Sequence, residues 1–333
     1  MSARIVGGEN FHSRAEGAQT EAVTSPLRIG TRASSLALTQ TGLVADELRR
    51  LTGREVEIVR ITTDGDVRTG SLSQMGGTGV FVTALRDALQ QGRCDVAVHS
   101  LKDLPTAPFA GLTYVTPVRE DPRDALCSRE HLRLADLPTG ASVGTGSPRR
   151  AAQLLLARPD LTVVDIRGNV DTRLGRVDAS GPGDLDAVVL AAAGLNRLGR
   201  SSVITELIDL DTMAPAPGQG ALAVECRTDD LATDSSLASA LAALDDSGTH
   251  LAVTAERALL ARLEAGCAAP VGTYASVSDG VLSLRALVAR PDGSEHLRHG
   301  GQVEVTDTDW AGASGLGESV ADHFLALGAA DFI

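Results

Sequence analysis

Basic and hydroxyl side chains gather where short apolar runs give way to helix-like segments. Thr31, Arg32 and Ser34 follow LRIG, and Thr145, Ser147, Arg149 and Arg150 follow ASVG. A helix N-terminus offers unpaired N–H groups and the positive end of the helix dipole, which suit a carboxylate or phosphate. Adjacent arginines add bidentate clamps. Arg167 and Asn169 in IRGNVDTR, with Arg173 one turn later, make a third such site, and Arg197 follows the next apolar run. Any one of these, taken singly, reads at least as well as an ordinary cap beside a solvated arginine. Several at successive strand ends are another matter, because ligands of open α/β sheets bind at the carboxyl ends of strands. They point to a ligand with several negative charges.

The segment VHSLKDLP (98–105) sets His99, Ser100, Lys102 and Asp103 at the end of the buried-looking run CDVAV. Lys102 is the one lysine among 30 lysine and arginine residues. Arginine is a planar fork that stays charged, whereas lysine is a compact point charge whose pKa moves on burial. Lys102 and Asp103 form either a structural ion pair or an acid–base pair; a cleft position favours the second. The loop RTGSLSQMGGTGVF lacks the GK[ST] of a phosphate loop and its glycines do not fit GxGxxG, so it reads as a mobile lid or an ordinary surface loop. Cys267, in LEAGCAAPVG, falls just past a helix C-terminus, which does not lower a thiol pKa. No Ser–His–Asp or Cys–His grouping supports hydrolysis by a protease-type nucleophile.

The elements that must position these groups follow a repeated grammar. Residues 27–104 and 142–198 both run strand, Gly-Thr turn, Ser-capped helix, strand with a polar end, then a D(V/A)AV strand. This predicts two α/β lobes of similar build with a cleft between them. PAPGQGALAVECR (215–227) reads as a return crossing into a strand. From about residue 240 a helix, TAERALLARLEAG, precedes an alternating stretch with Asp-Gly turns and a last helix, which predicts a small α+β domain with an antiparallel sheet. A net charge of −13 opposes nucleic-acid and anionic-membrane binding. No apolar run nears the ~18 residues that span a bilayer. Residues 1–26 read as a disordered extension without a signal-peptide core. The four cysteines, Cys94, Cys127, Cys226 and Cys267, lie far apart, which excludes a disulfide framework or zinc ribbon and suggests a reducing cytoplasm. No metal site is expected.

GTRASSLALTQ, VHSLKDLP, EDPRDA, VGTGSPRR, RGNVDTRL, AGLNRLG, PAPGQGALAVECR and LEAGCAAPVG occur in the order found in porphobilinogen deaminases, which the chain resembles from about Leu27 to its C-terminus. The resemblance implies two periplasmic-binding-protein-like lobes and a C-terminal domain: 27–118 with 219–238, 119–218, and 239–333. It implies a cytoplasmic monomeric transferase that condenses four porphobilinogens with loss of ammonia and then releases a linear tetrapyrrole by hydrolysis. It further implies a dipyrromethane cofactor on Cys267 and a catalytic carboxylate at Asp103 with Lys102 beside it. Arg32, Ser34, Ser100, Thr145, Ser147, Arg149, Arg150, Arg167, Asn169, Arg173, Arg197 and Gln219 would line the cofactor and substrate cleft. Three positions depart from the usual pattern: Gln74 and Thr78 are neutral where lysines are frequent, and Gly146 stands where Ser is common. Two rival readings are a non-catalytic receptor for a small polycarboxylate and a nucleotide-dependent enzyme. The Asp103 and Cys267 motifs count against the first, and the missing phosphate loop against the second.

Overall fold

A computed structural model describes residues 25–61, 79–177, 184–266 and 269–333. The expectations for residues 1–24, for Gln74 and Thr78 of the glycine-rich loop, and for Cys267 lie outside the described residues. The run LRIGT forms β1 (Leu27–Thr31), and Ser34 caps α1 (Ser35–Thr52), its Oγ accepting from the Ala37 N–H at 3.3 Å. Gly53 ends that helix in the left-handed region at φ 68°. β2 (Val56–Arg60), α2 (Gly79–Gln90), β3 (Val96–Ser100) and β4 (Leu112–Val115) follow.

The second lobe repeats the scheme. After β5 (Asp124–Ser128) come β6 (Ser142–Gly144), α3 (Pro148–Ala157), β7 (Thr162–Val164), α4 (Val170–Leu174), β8 (Ala187–Ala191), α5 (Ala192–Arg197) and β9 (Glu206–Leu207). Ser147 caps α3 and Pro148 opens it, the placement in which proline's missing N–H costs nothing. The chain then returns as β10 (Leu222–Arg227).

The two five-stranded sheets have matching orders, β2-β1-β3-β10-β4 and β7-β6-β8-β5-β9. In each, the first three positions are parallel and the fourth strand is antiparallel to its neighbours. That fourth strand is the one the chain makes on arriving from the other lobe, so each crossing ends inside a sheet. The carboxyl ends of β1, β3, β6, β7 and β8 carry the candidate site residues, except Gln219, which lies on the return crossing before β10.

The crossings, 116–123 and 208–221, run side by side. The Glu120 N–H donates to the Gly220 carbonyl at 3.2 Å, and Gly220 has φ 89°. A Cβ there would stand 2.4 Å from the Glu120 oxygen, so close approach and backbone conformation both require glycine.

α6 (Ser235–Leu244) packs back on the first lobe through Leu237, Ala240 and Leu241, in one core with Leu48 and Val96. α7 (Ser247–Arg262) and α8 (Trp310–Ala326) cover an antiparallel sheet of β11 (Val271–Ser278), β12 (Val281–Ala289) and β13 (His296–Glu304). Leu259, Val288 and Phe324 are central to that core. The Asp279-Gly280 turn has positive φ at both residues, 52° and 74°, as a two-residue hairpin requires. Among the described residues no helix is long and apolar enough to cross a membrane.

Candidate active site

Each strand end delivers its residues in a defined state. At β1, Thr31 is buried and accepts a hydrogen bond from the Thr41 hydroxyl at 2.7 Å, so Arg32 and Ser34 project from a fixed turn. At β3, the Ser100 hydroxyl donates to Gln40 Oε1 at 3.2 Å. The chain then makes a single 3-10 turn, Leu101–Asp103. That turn is pinned from two sides: the Leu101 N–H donates to the Ala221 carbonyl at 3.0 Å, and Arg257 of α7 donates to the Leu104 carbonyl at 2.9 Å. Asp103 is exposed, and with Arg32, Ser34 and Ser100 it lines a cavity of about 90 Å³.

Lys102 is half-buried but closely surrounded. Burial lowers its pKa to about 8, helped by the positive charges of Arg150 and Arg149 and opposed by Asp103 and Asp124. The first lobe's lysine therefore lies within electrostatic reach of the second lobe's arginines.

Arg149 and Arg150 are neither solvated helix residues nor open clamps. Both are buried, and both pair with Asp124, at 2.8 Å and 2.7 Å. Arg149 also donates to the Ala214 carbonyl, and Arg150 to that of Val189 at 3.1 Å. Gln219 Nε2 completes the cluster with a bond to Asp124 at 2.9 Å and one to the Pro122 carbonyl at 2.7 Å. Burial alone would raise the Asp124 pKa, but the two guanidiniums and their hydrogen bonds bring it down to about 2. Asp124 is the member of this cluster that sequence reasoning missed. It stands in EDPRDA, whose acidic and basic residues alternate along the chain, and nothing local marks it as the partner of arginines 25 and 26 positions away.

Thr145 is buried and accepts from the Ser147 N–H at 3.2 Å, while Ser147 accepts from the Arg150 N–H at 3.5 Å. Asn169 caps α4 through Thr172, at 2.8 Å, and is exposed. Arg167 is exposed and meets Asp165 at 3.3 Å. Arg173 has its pKa held below the usual arginine value by burial and by the like charges of Arg150 and Arg167. Arg197 donates to the Gly220 carbonyl, 2.6 Å away on the return crossing and next to Gln219. A Cβ at Gly146 would sit 2.5 Å from the Ile166 carbonyl oxygen, so a serine there would need a shifted backbone.

Two family models match the chain: "Porphobilinogen deaminase, dipyromethane cofactor binding domain" over residues 27–235, and "Porphobilinogen deaminase, C-terminal domain" over residues 250–326. The chain belongs to the porphobilinogen deaminase family. The porphobilinogen deaminase of Leifsonia xyli is 57% identical over 313 residues, covering 92% of this chain and 93% of the relative. That of Cutibacterium acnes is 55% identical over 324 residues, covering 92% and 96%. Among solved structures, a periplasmic substrate-binding protein of an ABC transporter from Coxiella burnetii is similar at a TM-score of 0.39 and 17% identity, over 66% of this chain and 91% of its own.

Membership in the porphobilinogen deaminase family brings a dipyrromethane cofactor, and the described residues fit one. Arg149 Nε, Arg173 Nε and Gln219 Oε1 are buried with no hydrogen-bond partner among the described residues. Buried donors and acceptors left unmatched are costly. A two-pyrrole group with carboxylate side chains and ring N–H groups supplies both kinds of partner. The same crowding of positive charge that depresses Arg173 would be relieved by those carboxylates.

Proposed function

We propose that the chain is a hydroxymethylbilane synthase, a transferase that joins four porphobilinogen molecules head to tail with loss of ammonia and then releases the linear tetrapyrrole by hydrolysis. The observation that carries this reading is the pairing of an exposed carboxylate, Asp103, with a cationic group drawn from both lobes, Lys102 with Arg149, Arg150 and Arg173. Porphobilinogen brings an acetate and a propionate, so a lengthening product accumulates the charge that such a group receives. As ammonia departs, positive charge spreads over the substrate pyrrole. Asp103 stabilises that charge by accepting the ring N–H and takes part in moving its proton. Lys102, with a pKa near 8, holds a proton that can be shared with a substrate carboxylate.

Cys267 is the proposed attachment point of the dipyrromethane, which when bound supplies the free pyrrole α-carbon that primes chain growth. Arg32, Ser34, Ser100, Thr145, Ser147, Arg149, Arg150, Arg167, Asn169, Arg173, Arg197 and Gln219 are proposed to hold its carboxylates and those of the substrate. The proposed domains are 27–118 with 219–238, 119–218, and 239–333, with the sheet order and the position of β10 in their favour. A cytoplasmic monomer is part of the same reading. Cys94, Cys127 and Cys226 are buried free thiols whose pKa values burial raises to about 11, 12 and 12, as suits packing.

The test is the intact mass of the denatured protein with peptide mapping, before and after porphobilinogen is added. A two-pyrrole adduct on the Cys267 peptide, with further pyrroles added stepwise, is the expected outcome. A chain that stays unmodified after porphobilinogen and releases no tetrapyrrole overturns the proposal.

A further inference from the structure

A second polar group lies inside the first lobe, directly behind the Asp103 cavity, and the reaction described above does not use it. His99 and Glu225 are diagonal neighbours on one face of the β3–β10 pair, since Ala223 stands opposite His99 and Glu225 opposite Ala97. Both are buried, and His99 Nε2 lies 3.1 Å from Glu225 Oε2. Arg86 of α2 closes on the same carboxylate, at 2.8 Å from one nitrogen and 3.0 Å from another, and its guanidinium lies 4.8 Å from the centre of the Phe109 ring. His99 also lines the cavity that Arg32, Ser34 and Asp103 share.

The sister sheet shows what the fold itself demands at these positions. Matching β3 with β8 and β10 with β5 by sheet order places Leu222 with Asp124, hence Glu225 with Cys127, and Ser100 with Ala191, hence His99 with Leu190. Leu190 and Cys127 are buried in one apolar core. The architecture is therefore satisfied by an apolar pair, and a buried ion pair brings little net stability over one. Only the lobe that presents Asp103 carries the polar pair.

We propose that His99, braced by the Glu225–Arg86 pair, is a positioning residue that forms the inner wall of the Asp103 cavity and sets Asp103 against the reacting pyrrole. The proposal rests on the condensation chemistry proposed above. His99 stands four residues before Asp103 and lines the same cavity, so a change at the imidazole reshapes the wall beside the Asp103 carboxylate while Ala221 and Arg257 keep hold of the turn's backbone. A change of that kind acts on the chemical step more than on the arginines that receive the substrate's carboxylates.

The test uses holoenzyme in four forms: wild type, His99→Leu, His99→Gln and Glu225→Gln. Cofactor loading is measured by intact mass, and kcat and KM by porphobilinogen consumption per loaded molecule. His99→Leu, the side chain the sister sheet uses, is expected to lower kcat about tenfold or more with KM within about twofold. His99→Gln, which keeps a polar group facing Glu225, is expected to recover most of that loss. Glu225→Gln keeps the shape but drops the charge, and should show the same loss of kcat at constant KM. If His99→Leu does not fold, Glu225→Gln and His99→Gln decide the matter between them. Unchanged kcat per loaded molecule in His99→Leu, or in Glu225→Gln, overturns the proposal, as does a loss that follows only the loaded or folded fraction. Failure of wild type itself to load a two-pyrrole adduct and consume porphobilinogen would instead overturn the proposed function.

Discussion

Lys102 and Asp103 are neighbours in sequence but occupy different surroundings, and their substitutions should behave differently. Asp103 is exposed on a turn whose backbone is held by Ala221 and Arg257, so its side chain is not needed to keep the turn in place. Asp103→Ala should change the melting temperature little, because exposed substitutions usually stay within about 0.5 kcal/mol. It should lower kcat at least about a hundredfold, the scale on which a lost charge-stabilising group acts; near-normal turnover in a steady-state assay would remove Asp103 from the chemistry. Lys102 has a folded pKa near 8, below its unfolded value of about 10.4. The unfolded chain therefore binds more protons between those values, and this group's contribution to stability rises with pH across that window. Substrate binding moves the other way, since the cation fades as pH passes about 8. KM should climb above that pH in wild type, while Lys102→Gln should start higher and show no such inflection. Asp124 has the opposite sign. Its folded pKa near 2 lies below the usual carboxylate range, so its stabilisation is present above about pH 4 and is lost as pH falls through about 2. Asp124→Asn removes it at every pH and leaves two buried guanidiniums uncompensated, a loss of about 3–5 kcal/mol that thermal denaturation would register. Lys102 stands out in the sequence by its rarity and Asp103 by its neighbours, and both fall on the turn that follows β3. Asp124 does not stand out, because a buried partner is fixed by sheet packing, and one sequence does not reveal which distant residues meet.

At the scale of elements, the sequence announces whatever is local. Ser34 and Ser147 cap the helices where they were expected, with Pro148 at the first helical position, and the Asp-Gly turn opens the hairpin of β11 and β12. Local signals failed where pairing decides. β4 and β5 are short runs beside prolines and charged residues; β5 becomes a strand because a crossing delivers it to a sheet slot, and β4 because the returning β10 pairs with it. α6 carries no clear local signal, since Ser, Ala and Leu dominate it and no strong polar face marks its amphipathic character. Gly220 belongs to this scale, since it lets two crossings touch. Gly220→Ala places a methyl group 2.4 Å from the Glu120 oxygen on a backbone at φ 89°, so the crossings must part. We expect a stability loss of at least about 1–3 kcal/mol, from strain of the kind a left-handed non-glycine residue stores. Gly53→Ala, also at positive φ but with open space around it, should cost less, and equal losses in chemical denaturation would refute the close-approach argument.

Across the whole molecule, both lobe crossings and the C-terminal domain converge on one carboxylate. Glu256 of α7 is fully buried and pairs with Arg119 of the first crossing at 2.7 Å and 3.1 Å. It accepts from the Gly218 N–H of the second crossing at 2.7 Å and from the Ala275 N–H of β11 at 2.8 Å. Arg119 in turn donates to the Gln219 carbonyl at 2.8 Å, so the crossings are joined to each other as well as to α7. α7 and β11 flank the segment that contains Cys267, the proposed attachment point, so Glu256 links that part of the chain to both crossings between the lobes. Glu256→Gln keeps the volume but offers one acceptor oxygen in place of two and no charge. It should destabilise the protein by about 3–5 kcal/mol, the usual consequence of breaking a buried pair. More telling is where the loosening appears. Hydrogen exchange should accelerate in 116–123 and 208–221 together with β11, because one side chain restrains all three. Faster exchange confined to α7 and β11, with both crossings protected as in wild type, would mean that the lobes are held by their own sheets and that Glu256 is only a local strut.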